Sequence, residues 1–158
     1  MDVAEQYQDL QFDVVGDGNS ESEYVQRLRS RAKSIPNVHL HGMVPHAYVQ
    51  QFYQRSAALI CTSRAEGFPN TFLEAWSYGL PIVSTFDPDN LITEHGLGMV
   101  AKDALGLTSG IQVLLNSQQR WQKASQAALQ RYRDNHSIEA VMPRLENAFL
   151  NLAERTES

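Results

Sequence analysis

The sequence predicts an α/β fold in which an open parallel sheet carries helices on both faces. Short apolar runs alternate with helical patterns over most of the 158 residues, and such alternation is typical of parallel strands joined by crossover helices. Residues 57–62 and 82–84 lack the polar alternation of a half-exposed strand, as expected for strands that are covered on both faces. At 42% hydrophobic and 20% charged residues, the chain fits one domain with a substantial core.

Five strands are predicted, each bounded by turn signals. They span residues 10–15, 38–41, 57–62, 82–84 and 98–101. The loops that follow the first four strands lie at 16–18, 42–45, 64–70 and 86–90. Because ligands of open α/β sheets bind at the carboxyl ends of the strands, we expect these loops to share the ligand-binding edge.

Helices are predicted between the strands and after the last one. Ser20 or Ser22 can cap the first helix, which runs to about residue 33, and Gly79 and Pro81 end the helix that begins near residue 70. A further helix between these two carries apolar residues on one face over 48–53. Beyond residue 104 the pattern is helical to about residue 152, and Pro143 predicts a kink or two abutting helices there.

Composition and charge exclude several classes of protein. A net charge of -5 without a basic run argues against a nucleic-acid-binding protein. No apolar segment approaches the ~20 residues that a membrane span needs, and the first ten residues are not signal-like. Cys61 is the single cysteine, is expected to be a small buried residue and favours a reducing compartment. We therefore expect a cytoplasmic protein.

Glu66 and Glu74 are the strongest candidates for chemistry. Between them, residues 67–71 carry the signals of a tight loop that turns into a helix, and the amides at a helix start can hold an anion. An ionised carboxylate accepts hydrogen bonds from neighbouring sugar hydroxyls. The pair therefore predicts a site for a sugar linked to phosphate. Alternatively, Thr71 and Glu74 match a capping box, in which Glu74 would bond a backbone amide.

Two other sets of residues could hold a metal ion. Asp87 and Asp89 form an aspartate-x-aspartate pattern, although the proline between them favours a turn. His39 and His41 lie on the same face of a predicted strand, but no third ligand has a suitable spacing. We therefore expect no metal site.

Gly16 and Gly18 match half of a dinucleotide-binding fingerprint. Glu21 stands where the third glycine is required. A nicotinamide-dependent dehydrogenase is therefore disfavoured.

The segment around the two glutamates resembles a known family. Residues 63–75 read Ser-Arg-Ala-Glu-Gly-Phe-Pro-Asn-Thr-Phe-Leu-Glu-Ala and are followed by Gly-Leu-Pro-Ile-Val at 79–83. This order resembles the glutamate-x7-glutamate signature of retaining GT-B glycosyltransferases of the group 1 (family 4) type. The similarity extends over about residues 11–101 and includes the glycine-containing segments 14–18, 38–42 and 96–100.

The resemblance implies the C-terminal, donor-binding half of a GT-B fold. Residues 1–158 would then form one Rossmann-like domain with C-terminal helices over about 104–152, and the N-terminal acceptor domain would be absent. Glu66 would be the catalytic residue that holds hydroxyls of the donor sugar, and Glu74 would hold the ribose. The other donor-binding residues implied are Gly67, Phe68, Pro69, Asn70, Thr71, Gly16, Gly18, Gly42, Met43 and Val44.

The implied partners are a nucleotide diphosphate sugar and the missing N-terminal domain. The implied reaction transfers a hexose to an acceptor hydroxyl without cofactor or metal, and peripheral association of the full-length enzyme with the inner face of the membrane is compatible with it. The family's basic pair at the start of this half is missing, since Arg27 is the first basic residue. We expect that the pair is missing because the chain is truncated, along with the acceptor-binding half. The loop 85–90 also lacks the usual glycine pair and glutamate.

Three alternatives stay open at this point. The scaffold could be a non-catalytic binding or interaction module, or half of a nucleotide-sugar epimerase. A phosphorylase with a pyridoxal-bearing lysine is disfavoured, because the lysines at 33, 102 and 123 are not placed near the predicted ligand edge.

Overall fold

The computed structural model describes residues 1–156, with side chains through residue 152, and contains two parallel sheets. Strand β1 (Phe12–Val15) pairs with β2 (Val38–Gly42). Strand β4 (Ile82–Ser84) lies between β3 (Leu59–Cys61) and β5 (Gly98–Val100) in the second sheet. The parallel α/β architecture is confirmed. Within the described residues no strand pairing joins β1 to β3, so the predicted single sheet is divided into two.

Helices occur before, between and after the strands. They are α1 (Asp2–Gln6), α2 (Glu23–Lys33), α3 (His46–Arg55), α4 (Asn70–Ser77), α5 (Leu91–His95), α6 (Ala104–Leu115), α7 (Gln118–Asn135) and α8 (Ile138–Thr156). The predicted helices are confirmed. Helices α1 and α5 were not predicted, because a five-residue helix is too short to show a helical period.

The core lies on both faces of β4. Ile82 and Val83 are fully buried neighbours whose side chains point to opposite faces of the strand. Ile82 packs with Trp76 of α4 and other residues on one side, and Val83 packs with Ile111 of α6 on the other. The predicted covering of the sheet by helices on both faces is therefore confirmed.

The end of α4 is fixed by a glycine in the left-handed conformation. Gly79 has φ +67, and its amide donates to the Trp76 carbonyl at 2.9 Å. The Leu80 amide donates to the Ala75 carbonyl, also at 2.9 Å. This pair of bonds is the Schellman arrangement, which closes the last carbonyls of a helix. The predicted helix end is confirmed, and α4 is thereby joined tightly to β4.

Strand β3 is shorter and more accessible than expected. It covers three residues rather than 57–62, and each of the three is only half-buried, including Cys61. Ala57 is exposed and lies outside the strand ladder. Its carbonyl accepts a hydrogen bond from the indole nitrogen of Trp121, on α7, at 2.7 Å. The prediction of a long strand buried on both faces is wrong, because the ladder with β4 extends only over Leu59–Cys61.

Helix α8 is continuous through Pro143. The predicted pair of abutting helices is therefore wrong. A proline removes one backbone donor, and the bonds on either side of it are sufficient to continue the helix here. None of the helices in the described part of the chain combines the length and apolarity that a bilayer crossing requires.

Candidate functional site

Glu66 lies in the loop between β3 and α4, exposed to solvent. The Ser63 hydroxyl donates to Glu66 Oε1. The Ser63 carbonyl in turn accepts from Thr85 Oγ1 at 2.9 Å, which ties this loop to the end of β4. Glu66 Oε2 has no protein partner within residues 1–156. One carboxylate oxygen is thus held by the loop, and the other can accept from a ligand.

The start of α4 offers a cluster of backbone donors. Within the described residues, the amides of Gly67, Phe68, Asn70 and Thr71 have no protein acceptor, and no side chain caps the helix at Pro69. A Cβ atom added to Gly67 would meet no protein atom within 4 Å. These amides carry partial positive charge and face open space, so they can receive an anion or a sugar oxygen.

Phe68 holds this loop against the helical part of the domain. Its ring lies 6.0 Å from the Trp76 ring and 5.8 Å from the His136 ring, measured between centroids. Burial, together with the nearby Arg131 and Arg144, lowers the pKa of His136, so the imidazole is neutral at neutral pH. The side chain of Phe68 thus anchors the loop, and only its backbone amide is left for the predicted donor-binding role.

Glu74 lies in the second turn of α4 and reaches toward α3. The Tyr53 hydroxyl donates to Glu74 Oε2 at 2.8 Å, and His46 Nε2 lies 3.5 Å from Glu74 Oε1. The capping-box alternative is wrong, since α4 begins at Asn70 and no side chain caps it. Thr71 is therefore inside the helix, and Glu74 is left to bind side chains of α3.

The loop 42–45 lies beside Glu74. It leads from β2 directly into His46, which contacts Glu74 Oε1. Met43 is the most exposed large apolar side chain described, at 85%, and Val44 is half-buried. The structure therefore brings the loop that carries predicted donor-binding residues and the predicted ribose-binding glutamate together.

The glycines after β1 have two different roles. Gly16 has φ +116, and its amide donates to the Gly42 carbonyl at 2.8 Å. A Cβ atom at either of these glycines would meet no protein atom within 4 Å. At Gly18 it would lie 2.7 Å from Val25 Cγ2. Gly16 and Gly42 thus border open space. At Gly18, by contrast, a side chain would collide with Val25 of α2, so the packing of the loop on this helix requires glycine.

Tyr53 and His46 were missed by the sequence analysis. Tyr53 was assigned only to the apolar face of α3, although a buried tyrosine hydroxyl normally needs a partner. Burial, followed by the hydrogen bond to Glu74, raises the pKa of Tyr53 well above its ordinary value. The phenol therefore stays protonated and remains a donor to Glu74 over the whole working range of pH.

Asp87 is a helix cap. Its Oδ1 accepts from the Ile92 amide at 2.8 Å, and its Oδ2 accepts from Thr93 Oγ1 at 2.7 Å, at the start of α5. Asp89 and Asn90 have φ of 50 and 58, as in a tight turn. The turn interpretation of this segment is confirmed. No group of three or more histidine, cysteine or carboxylate side chains in the described chain is placed to hold a metal ion; that the reaction needs no metal stays a prediction.

His41 is paired with an aspartate. Its Nε2 lies 2.6 Å from Asp13 Oδ1, and the Arg55 guanidinium donates to Asp13 Oδ2 at 2.9 Å. Phe52 packs against the His41 ring and beneath the Arg55 guanidinium. His39 lies on the same face, with 6.5 Å between the two imidazole centroids. This network joins β1, β2 and α3 immediately before the loop 42–45.

We expect Asp13→Asn to destabilise the fold at neutral pH and not in acid. Burial opposes ionisation of Asp13, but hydrogen bonds from His41, Gln11 and Arg55 outweigh it and lower its pKa. A carboxyl whose pKa is lowered by folding stabilises the native state above its unfolded pKa of about 4 and loses that contribution as the pH falls below it. The loss at pH 7, measured by urea denaturation, should be about 1 to 2 kcal/mol.

Asp9→Asn, which changes an exposed aspartate, is the control and should have little effect. An equal loss for Asp13→Asn at pH 7 and at pH 3 would contradict the assignment.

Comparison with known proteins agrees with this geometry. The profile of the family "Glycosyl transferases group 1" matches residues 1–117. The amylovoran biosynthesis glycosyltransferase AmsD of Erwinia amylovora is 27% identical over 129 residues, which are 77% of this chain and 34% of that protein. The lipopolysaccharide 1,6-galactosyltransferase of Salmonella typhimurium is 39% identical over 77 residues, 48% of this chain and 21% of that protein. The chain thus spans about a third or less of these relatives.

Solved structures share the fold over nearly the whole chain. Anabaena HepE in complex with UDP aligns with a TM-score of 0.80 at 18% identity, covering 95% of this chain and 43% of HepE. The pneumococcal O-GlcNAc transferase GtfA in complex with UDP and GlcNAc aligns with a TM-score of 0.73 at 19% identity, covering 96% of this chain and 32% of GtfA. At these identities the likeness shows the fold. Together with the family match over most of its length, it establishes that this chain belongs to the glycosyl transferases group 1 family.

Proposed function

We propose that this chain is the donor-binding domain of a retaining glycosyltransferase that transfers a hexose from a nucleotide diphosphate sugar to an acceptor hydroxyl. One observation carries the proposal: two accessible carboxylates flank a helix start whose amides lack protein acceptors. A sugar linked to a diphosphate matches this arrangement, because it offers hydroxyls to the carboxylates and phosphate oxygens to the amides.

In this proposal each part of the donor binds a different group of the site. The free oxygen of Glu66 accepts a hydroxyl of the transferred sugar, and Glu74 Oε1 accepts a hydroxyl of the ribose. The amides between Gly67 and Thr71 stabilise the charge that grows on the diphosphate as it leaves. The departing phosphate can then take the acceptor's proton on the same face of the sugar, which retains the anomeric configuration.

Similar proteins support a nucleotide sugar as the donor. HepE and the pneumococcal transferase are described in complexes with UDP. The Salmonella relative is a galactosyltransferase. A uridine diphosphate hexose is therefore the first donor class to test.

The exposed face of α8 supports an acceptor-binding domain as the partner. Ile138, Val141, Leu145 and Phe149 lie on one side of this helix and are between 40% and 75% exposed. Single exposed apolar residues are ordinary, but a row of them along one helix indicates a surface that a partner covers. We propose that the N-terminal domain of the same protein covers it, and that the whole enzyme works in the cytoplasm or at the inner face of the membrane.

Calorimetric titration with uridine, guanosine and adenosine diphosphates tests the proposal. We expect one of the three to bind weakly and saturably, without turnover by this domain alone. Glu74→Ala should weaken that binding roughly 3- to 10-fold, the effect of one lost hydrogen bond. Exposed Glu139→Ala, on α8, is the control and should leave it unchanged. No binding of any of the three diphosphates would contradict the proposal.

A second candidate is a non-catalytic module that binds a nucleotide sugar. The loop 85–90, which lacks the family's usual glycine pair and glutamate, favours it. Both candidates predict nucleotide binding, so only turnover by the full-length protein separates them.

A further inference from the structure

The carboxylate of Glu74 is held at one oxygen and accessible at the other. Glu74 Oε2 accepts from the Tyr53 hydroxyl at 2.8 Å. Oε1 lies 3.5 Å from His46 Nε2, and the His46 side chain is 89% exposed. A glutamate side chain has three rotatable bonds, so without the tyrosine it would sample several orientations in solvent. The single hydrogen bond thus selects the orientation that leaves Oε1 on the open side.

Tyr53 is itself held in place. Its ring stacks on the Tyr78 ring, with 5.7 Å between centroids and an interplanar angle of 12°. It also packs against the buried cluster that contains Phe72 and Trp76. These ring contacts fix the position of the Tyr53 hydroxyl next to Glu74. The helix that carries Tyr53, α3, begins where the loop 42–45 ends.

We propose that Tyr53 is a positioning residue for nucleotide binding, whose hydroxyl fixes Glu74 so that Oε1 accepts a hydroxyl of the donor's ribose. This inference rests on the proposed function, because it assumes that Glu74 binds the ribose. It adds a specific consequence: preference for ribose over deoxyribose depends on a side chain that does not itself touch the sugar.

A purely structural role for Tyr53 predicts something different. Loss of packing would lower stability and weaken every ligand equally. Loss of positioning would weaken only ligands that carry the ribose hydroxyls. The ratio of affinities for a nucleoside diphosphate and for its 2′,3′-dideoxy analogue separates the two roles, because packing contributes equally to both.

The test measures this ratio calorimetrically with uridine, guanosine and adenosine diphosphates and their dideoxy analogues. The wild type should prefer the ribonucleotide, and Tyr53→Phe should reduce that preference roughly 3- to 10-fold. Tyr78→Phe is the matched control, because it removes a hydroxyl from the ring that stacks on Tyr53. The Tyr78 hydroxyl lies 3.5 Å from Gln50 Oε1 and does not bond Glu74. It should leave the ratio unchanged.

Further variants keep the outcomes distinct. Glu74→Ala should abolish the preference, and adding Tyr53→Phe to it should change nothing more. Circular dichroism melts establish that each variant is folded; Tyr53→Phe keeps the ring and its packing.

If no diphosphate binds the wild type, the proposed function itself fails. If Glu74→Ala abolishes the preference but Tyr53→Phe retains it, only the role of Tyr53 is overturned. If the wild type shows no preference, Glu74 is not the ribose ligand and the inference is overturned.

Discussion

Full-length enzyme carrying Glu66→Gln is expected to transfer sugar about 100-fold more slowly than the wild type, or slower still. The glutamine side-chain oxygen can still accept from Ser63, so the loop keeps the bond that holds it. The substitution removes the negative charge and places a donor where a second acceptor stood. The loss should therefore appear in kcat, measured with the donor that the calorimetric panel identifies, while affinity for the free nucleoside diphosphate changes little.

Glu94→Gln is a suitable control for this experiment. Glu94 is an exposed glutamate on α5, with no hydrogen bond or ion pair in the described residues. Its replacement should leave turnover unchanged. If Glu66→Gln retained full activity, Glu66 would not be the catalytic residue and its proposed role would be overturned.

Gly98→Ala is expected to give the largest loss of stability, about 3 kcal/mol or more. Gly98 has φ +153 in β5, and an added Cβ atom would lie 1.9 Å from the carbonyl oxygen of Ile82. The clash is with the backbone of the central strand β4, which cannot move aside as a flexible side chain could. Urea denaturation of the purified variant measures the loss of unfolding free energy. A variant that fails to fold would also agree with the prediction.

Gly67→Ala is the contrasting variant. Gly67 does not have a positive φ, and a Cβ atom there would meet no protein atom. Stability should change by less than about 0.5 kcal/mol, whereas affinity for the nucleoside diphosphate should fall. Equal losses of stability at Gly67 and Gly98 would show that the loop is not open.

The sequence predicted the elements around the site because turn residues mark them locally. Gly67 and Pro69 indicate the start of α4, and Gly79 and Pro81 indicate its end. The glutamate spacing then predicted the candidate site, which stays a prediction. These signals act over a few residues and do not depend on the rest of the fold.

Other features depend on distant partners and could not be predicted. The Trp121 bond to the Ala57 carbonyl, just before β3, joins residues 64 positions apart. The link from Tyr53 to Glu74 spans 21 positions. The division of the sheet is likewise a property of strand pairing, which no local pattern encodes.

The buried face of α4 and the exposed loop before it are under different evolutionary constraints. Phe72, Ala75 and Trp76 on its inner face are fully buried, so substitutions there act on folding. Arg64 and Ala65, in the loop before the helix, are exposed. Mutations at these outward positions can alter what the loop binds without lowering the amount of folded protein in the cell. A scaffold of this kind can diversify its substrates while its interior remains under purifying selection.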